Sequence, residues 1–349
     1  MRPHVVTIAT VLLLIAPLHP GRDLRCQIRG TVMGSVKDAE TGAPLRNTNV
    51  YLSSTTIGTN TGPDGMYVLT NIPPGIYQVV ASRVGHRLKS TLVHVTQAET
   101  LRTDFALTPV TLQGEEVQVL AHVDKEWHLL LAAFTKAFFG EGENAPGCAL
   151  LNPEVLDLRT DQETGMLTAA TDSVLRIENR ALGYRLYARM GVFEWDRDDD
   201  QGRFVLYPRF EQLRSGDSAE LTRWGENRIR SYRGSLKHFL ASLVAGTLDQ
   251  EGFLVSPGTL TELQAGTSRP LLPEDFTLLP VQGESLWKFT FGHWLRVEYR
   301  GDQKRLKSFI SLNGTSAIFG SAGNLVNPLC FDVTGDWAKY RVADMLPID

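Results

Sequence analysis

Apolar and polar residues alternate with a period of two over most of the stretch from Gly30 to Leu107, and turn residues interrupt them every eight to twelve positions. A period of two sends successive side chains to opposite faces of a strand. It predicts Val32, Gly34 and Val36 on one face of a first strand and Val50 with Leu52 on a second. Tyr67 with Leu69, then Tyr77, Val79 and Ala81, and finally Phe105 with Leu107, continue the set. Thr41-Gly42 and Asp64-Gly65 supply residues tolerant of positive φ, and Pro73-Pro74-Gly75 sets an extended entry to a tight reversal. Many short strands separated by turn signals predict a β-sandwich.

Beyond residue 124 the period changes. Trp127, Leu130, Leu131, Phe134 and Phe138 form a helical stripe between Lys125 and Phe139, with Gly140 as a stop. Alternation returns from Val155 to Phe210, where Tyr184 to Trp195 and Arg203 to Arg209 predict a hairpin around Asp196–Gly202. One long helix is then expected from a capping box at Asp217 and Glu220 to Gly246, with Leu221, Trp224, Ile229, Tyr232, Leu236, Phe239, Leu240 and Leu243 on its apolar face. The glycines and prolines between Gly252 and Pro280 suggest an irregular crossing. Strands follow at Leu286–Phe291, Trp294–Tyr299 and Ser308–Leu312. The fold class expected is mainly β with some α: a sandwich over residues 26–110, a linker strand over 111–124, and a β-rich α+β domain over 125–349.

At 349 residues, 42% hydrophobic and 21% charged, the chain is long enough for two folded domains. A net charge of −4 provides no global basic field for nucleic acid, so no nucleic-acid partner is expected. Residues 1–25 carry Arg2 and His4 ahead of an apolar run from Val5 to Leu18, too short to span a bilayer and suited to a signal-peptide core. Export follows, with the mature protein periplasmic, outer-membrane-associated or secreted, and soluble or peripherally bound. The residues before Cys26 lack a lipobox. Cys148 and Cys330 either bridge or remain separate thiols.

The Gly30–Leu107 stretch contains Gly34-Ser35-Val36-Lys37-Asp38, Thr41-Gly42-Ala43-Pro44-Leu45, Asn49-Val50-Tyr51-Leu52, Gly58-Thr59, Asp64-Gly65-Met66-Tyr67 and Ile72-Pro73-Pro74-Gly75-Ile76-Tyr77. In this order they resemble the carboxypeptidase-regulatory-like domain, which implies a seven-stranded transthyretin-like (prealbumin-like) sandwich. Glu115 to Leu120 resembles the strand that follows this domain in outer-membrane transporter chains. Asn144-Ala145, Ala181-Leu182-Gly183-Tyr184, Tyr232-Arg233-Gly234-Ser235 and Gly335-Asp336-Trp337-Ala338 look like the uncharacterised C-terminal region of exported Bacteroidetes-type proteins with the same leading domain.

Peptidase chemistry needs an H-x-x-E pair and a third zinc ligand, and the eight histidines offer no such set. No metal, cofactor or catalytic residue is assigned. Asp196, Asp198 and Asp200 offer hard oxygens of the kind calcium selects, but Gly202 comes one place late and Tyr207 replaces the closing glutamate, so a solvated acidic tip is expected. Ser235 and His238 lack the turn and oxyanion donors of a nucleophilic site. The basic helix with Trp224, Arg228, Tyr232, Arg233 and His238 is the candidate binding surface. Ser53–Thr56 and Gly85-His86-Arg87 are candidate end loops of the sandwich. The function expected is non-enzymatic: a binding or spacing module for carbohydrate or an envelope protein. The alternatives are a hydrolase or transferase in the second domain, and an accessory subunit of an outer-membrane transport system.

Overall fold

The computed structural model describes residues 29–96, 98–110, 125–266, 269–282, 285–301 and 304–348. The signal segment, Cys26 and the linker strand lie outside them. The chain is mainly β, with four α-helices among the described residues.

The N-terminal region is a sandwich of two sheets. In one, β1 (Gly30–Asp38) pairs antiparallel with β4 (Met66–Ile72) and parallel with β7 (Thr100–Arg102) and then β8 (Phe105–Leu107). In the other, β2 (Asn49–Leu52), β3 (Gly58–Asn60), β5 (Gly75–Ser82) and β6 (Lys89–Val95) run antiparallel in the order β3-β2-β5-β6. The alternating set read from the sequence is the core: Val32, Val36, Val50, Leu52, Tyr67, Leu69, Tyr77, Val79, Ala81, Phe105 and Leu107 are all buried in one cluster.

The β7 and β8 segments are one line broken at Thr103-Asp104, so the eight segments count as seven strands. At the break, the Asp104 carboxylate accepts from the Ser35 backbone N–H (2.7 Å) and hydroxyl (2.8 Å), standing in for the missing ladder bond. Gly34 faces this break. A Cβ there would fall on the Thr103 carbonyl, which is why the apolar alternation admits a glycine at that position.

The larger region holds two further cores. The first is built on α1 (Lys125–Phe139) and a six-stranded sheet of β9 (Cys148–Leu150), β10 (Asp157–Thr160), β11 (Leu167–Ala170), β12 (Leu175–Asn179), β13 (Tyr184–Asp196) and β14 (Gln201–Gln212). The α1 stripe meets the inner face of the predicted hairpin, Phe134 lying 4.7 Å ring to ring from Phe193. Long β13 takes β14 along its whole length on one side and divides the other between β12 and β11.

The long helix expected over 217–246 is two helices, α2 (Ser218–Tyr232) and α3 (Leu236–Ala245). Gly234 breaks it with φ +74°, and its missing Cβ lets the Tyr299 ring lie against the backbone. Asp217 caps α2 through the Ala219 N–H without completing a box with Glu220. Leu221 and Ile229, expected in the apolar face, are exposed, because α2 lies on the protein through Trp224 alone among its apolar side chains.

The second core contains α3 and two small sheets, β15-β18-β19-β21 and β16-β17-β20. Their strands are β15 (Phe253–Gly258), β16 (Phe276–Pro280), β17 (Leu286–Phe291), β18 (Trp294–Arg300), β19 (Arg305–Leu312), β20 (Ala317–Gly320) and β21 (Phe331–Gly335). The stretch from Gly252 to Pro280, expected to be irregular, supplies β15, β16 and the short α4 (Leu260–Ala265), which a Thr259–Glu262 capping box starts. Cys148 belongs to one core and Cys330 to the other, and both are free thiols.

The sandwich docks edge-on against β14. Tyr51 donates its hydroxyl to the Tyr207 carbonyl (2.9 Å), the Ser54 N–H bonds the Pro208 carbonyl (2.7 Å), and the Phe210 N–H bonds the Thr55 carbonyl (2.8 Å). Residues 345–348 close the joint from the other side. Leu346 packs on the α1 core, Ile348 packs on the sandwich core, and the Ile348 N–H bonds the Ser54 carbonyl (2.9 Å).

Candidate functional site

The elbow between α2 and α3 opens a groove of about 520 Å³, walled on its far side by Leu346 and Pro347. Four of the five residues expected to bind line it: Arg228, Tyr232, Arg233 and His238. Trp224 does not. It is buried, its indole N–H donates to the Arg180 carbonyl (2.8 Å), and its ring covers Gly183, where a Cβ would collide with it. Asn227 and Arg228 bond the same turn, through the carbonyls of Ala181 (2.8 Å) and Leu182 (2.8 Å). The Arg228 guanidinium also lies 4.1 Å over the Tyr184 ring. This face of α2 therefore grips the chain's own 180–184 turn, and the expectation of Trp224 as a surface aromatic is corrected.

His238 is the most constrained group in the groove. It sits at the start of α3 because Ser235 caps the helix, the serine oxygen accepting the His238 backbone N–H (3.1 Å). Nδ1 accepts the Gly234 N–H (3.0 Å), so the ring proton is on Nε2 and points at the Glu251 carboxylate (3.2 Å). Tyr232, Phe253 and Tyr299 surround the ring at 4.9, 5.0 and 5.9 Å. Burial among them pushes the imidazole pKa below its usual value, and Glu251 opposes that shift only in part. Both ring nitrogens are engaged and Ser235 is a helix cap, so this pair has no free base for a nucleophile.

Beside His238 the groove is lined by apolar Ala241 and Ala245 together with polar and charged side chains. Arg233 is exposed on the elbow. Lys237 lies beside the tail, its ammonium 3.4 Å from the Pro347 carbonyl. Two cations at the rim, a half-buried tyrosine and an open trough can hold an extended ligand with an anionic or hydroxyl-rich face. Lys237 was legible as part of the basic helix. Glu251 and Leu346-Pro347 carried no signal in the sequence, since only the tertiary fold brings them to α3.

Of the two candidate loops of the sandwich, Ser53–Thr56 is used internally, whereas Gly85 and Arg87 of the other stay exposed. Ser53–Thr56 forms the joint with β14, and Thr55 is fully buried. In the Gly85-His86-Arg87 turn, His86 Nε2 lies 3.0 Å from the Asp38 carboxylate and the Arg87 N–H bonds the Thr108 carbonyl (2.8 Å). The acidic tip is solvated only in part. Asp196 closes a turn onto the N–H groups of Asp198 (2.9 Å) and Asp199 (3.3 Å), but Asp200 accepts from the buried Arg341 guanidinium (3.1 Å) and the Trp195 indole (3.2 Å). Among the described residues no three His, Cys, Asp or Glu side chains stand close enough to share a metal.

No curated protein sequence matches the chain. The solved structures similar to it include three from bacteria. A type II cohesin–X-dockerin complex of Acetivibrio cellulolyticus is 23% identical, with a TM-score of 0.19 over 21% of this chain and 52% of that one. A minor pilin of Streptococcus agalactiae is 15% identical, with a TM-score of 0.21 over 25% and 46%. A candidate carbohydrate-binding protein of Bacteroides uniformis is 9% identical, with a TM-score of 0.20 over 83% and 98%. The chain spans about half the length of the first two, and none superposes closely enough to argue from. The family model for the CarboxypepD_reg-like domain matches residues 32–119, which begin two residues into β1 and include β2 to β8 of the sandwich. The N-terminal region of this chain is a carboxypeptidase-regulatory-like domain.

Proposed function

We propose that this chain is a non-enzymatic binding protein of the bacterial cell envelope, in which the sandwich is a spacer locked to the larger region and the α2–α3 groove takes the ligand. One observation carries the reading. The Ser53–Thr56 loop of the sandwich is consumed by its joint with β14, whereas the groove keeps Arg233, Lys237 and Tyr232 around an open trough. The engaged state of both His238 nitrogens favours binding over turnover. An exported carbohydrate is the ligand class best suited to such a trough, because its hydroxyls and ring faces match polar rim groups and one tyrosine. The leading apolar run of residues 5–18 supports export. Among the described residues no helix is long and apolar enough to cross a membrane.

A glycan array with the full chain tests this. Binding to a defined set of glycans that Arg233→Ala and Lys237→Ala together abolish is the expected outcome. Turnover of a glycoside or ester substrate that His238→Ala removes would replace this reading with an enzymatic one.

A further inference from the structure

The outer face of β12, β13 and β14, opposite the α1 core, carries arginine and tyrosine in register. Arg176 on β12, Tyr187 on β13 and Arg209 on β14 are cross-strand partners in one row. Arg189 and Tyr207 pair in the next. The Arg209 guanidinium lies over the Tyr187 ring at 4.9 Å, which holds its plane in place. Its Nε is buried and has no hydrogen-bond partner among the described residues.

The sandwich forms the side wall of this face. Gly58 lies against the Arg209 side chain, where a Cβ would stand 2.8 Å from Cδ, and Tyr51 reaches over to Tyr207. Arg189 is steadied by a bond to the Asp172 carbonyl. The acidic groups nearby are few or already occupied. Glu178 is held by Arg185 (2.7 Å) and Arg180 (2.8 Å), Glu211 pairs in register with Arg185 one row away, and Asp172 stands exposed at the rim.

We propose that this corner is a second binding site, for an acidic polysaccharide of the uronate type, with Arg176, Arg189 and Arg209 receiving its carboxylates. Arg176 and Arg209 spring from strands two spacings apart, roughly 10 Å. The Arg209 guanidinium lies over Tyr187 on the intervening strand, so the two charges face a common stretch of ligand, and a uronate polymer, which carries a carboxylate on every residue, presents them in series. A guanidinium fork matches a carboxylate by two parallel hydrogen bonds. The tyrosine faces do not form a platform for nucleobases, since Arg209 already covers Tyr187. The site is separate from the α2–α3 groove and does not require it.

The test is affinity electrophoresis of the full chain in gels containing polygalacturonate, with dextran as the neutral control. Retardation by polygalacturonate alone, weakening as salt is raised, is expected. Arg176→Glu, at an exposed position, and Arg209→Lys, which keeps the charge and removes the fork, should each weaken binding roughly tenfold. Thermal melting shows whether either variant is still folded. Equal retardation by dextran, no retardation at all, or tighter binding to a DNA duplex at matched salt would overturn the proposal. Loss of polygalacturonate binding in Arg233→Ala with Arg176→Glu unaffected would move the acidic glycan to the groove and overturn this site while leaving the function reading intact.

Discussion

Asp38 in the sandwich and Asp344 in the larger region are both held aspartates, and their pKa values move in opposite directions. Asp38 sits in a turn where the Thr41 and Glu40 N–H groups (both 2.9 Å) and His86 all donate to it, and these bonds bring its pKa down to about 2. Asp344 is half-buried, accepts one bond from Asn144 (2.7 Å), and leaves its buried Oδ2 without a partner among the described residues; desolvation pushes its pKa up. Away from its joint with β14, the sandwich meets its polar groups inside its own span, from the Glu40 N–H on Asp38 two residues away to Ser35 on Asp104, 69 residues away. The larger region reaches further, as over the 200 residues between Asn144 and Asp344. Asn144 reaches Asp344, Asn179 reaches the Ala343 carbonyl (2.8 Å), and Arg341 reaches Asp200 and the Ala137 carbonyl (3.0 Å).

That contrast can be broken experimentally, because all six tryptophans lie beyond residue 124 and tryptophan fluorescence therefore reports on the larger region alone. Phe134→Ala, which empties the contact between α1 and the long hairpin, should cost about 3–5 kcal/mol in urea unfolding followed by tryptophan emission. Gly34→Ala pushes a methyl onto the Thr103 carbonyl and should cost the sandwich roughly 1–3 kcal/mol. Its effect belongs in far-ultraviolet circular dichroism, with the tryptophan transition nearly unmoved. A shared shift in both signals would mean that the joint makes the two regions one cooperative unit.

Smaller changes sharpen the comparison. Tyr51→Phe removes only the bond to the Tyr207 carbonyl and should cost about 1 kcal/mol, read as faster proteolytic cleavage near residues 53–56. The two aspartates predict opposite pH slopes. Asp38 favours its charged form in the folded state, so its contribution is present above its ordinary value of 3.8 and is lost as pH falls toward 2. Asp344 favours its neutral form, so its contribution is present below 3.8 and is lost as pH rises through its raised value. Asp38→Asn should flatten the acid limb of a stability–pH curve, and Asp344→Asn should flatten the loss on the other side. Slopes of the same sign for both would contradict the opposed environments.

The sandwich was legible almost residue by residue, because a two-sheet fold needs only a period of two and turns that tolerate positive φ. The 184–212 hairpin was legible for the same reason, and the α1 stripe from its helical period of apolar residues. Less visible was the elbow at Gly234. A capped, amphipathic run predicts continuous helix, and the reason to break it is the Tyr299 ring, more than sixty residues away in sequence. Trp224 was expected both on the apolar face of the helix and in the binding surface, and the 180–184 turn that covers it leaves only the first.

From the sequence alone came the compartment expected, the β-sandwich with its core positions, and the absence of a zinc-peptidase motif, all of which depend on local pattern or composition. Only the tertiary structure decided which polar residues meet. It used the Ser53–Thr56 loop as a joint and separated Cys148 from Cys330. It also brought Leu346-Pro347 to the groove and lined up Arg176, Tyr187 and Arg209 across three strands. The physical reason is range: a backbone period is set by neighbouring residues, whereas a binding face is set by the packing of segments that the sequence keeps far apart.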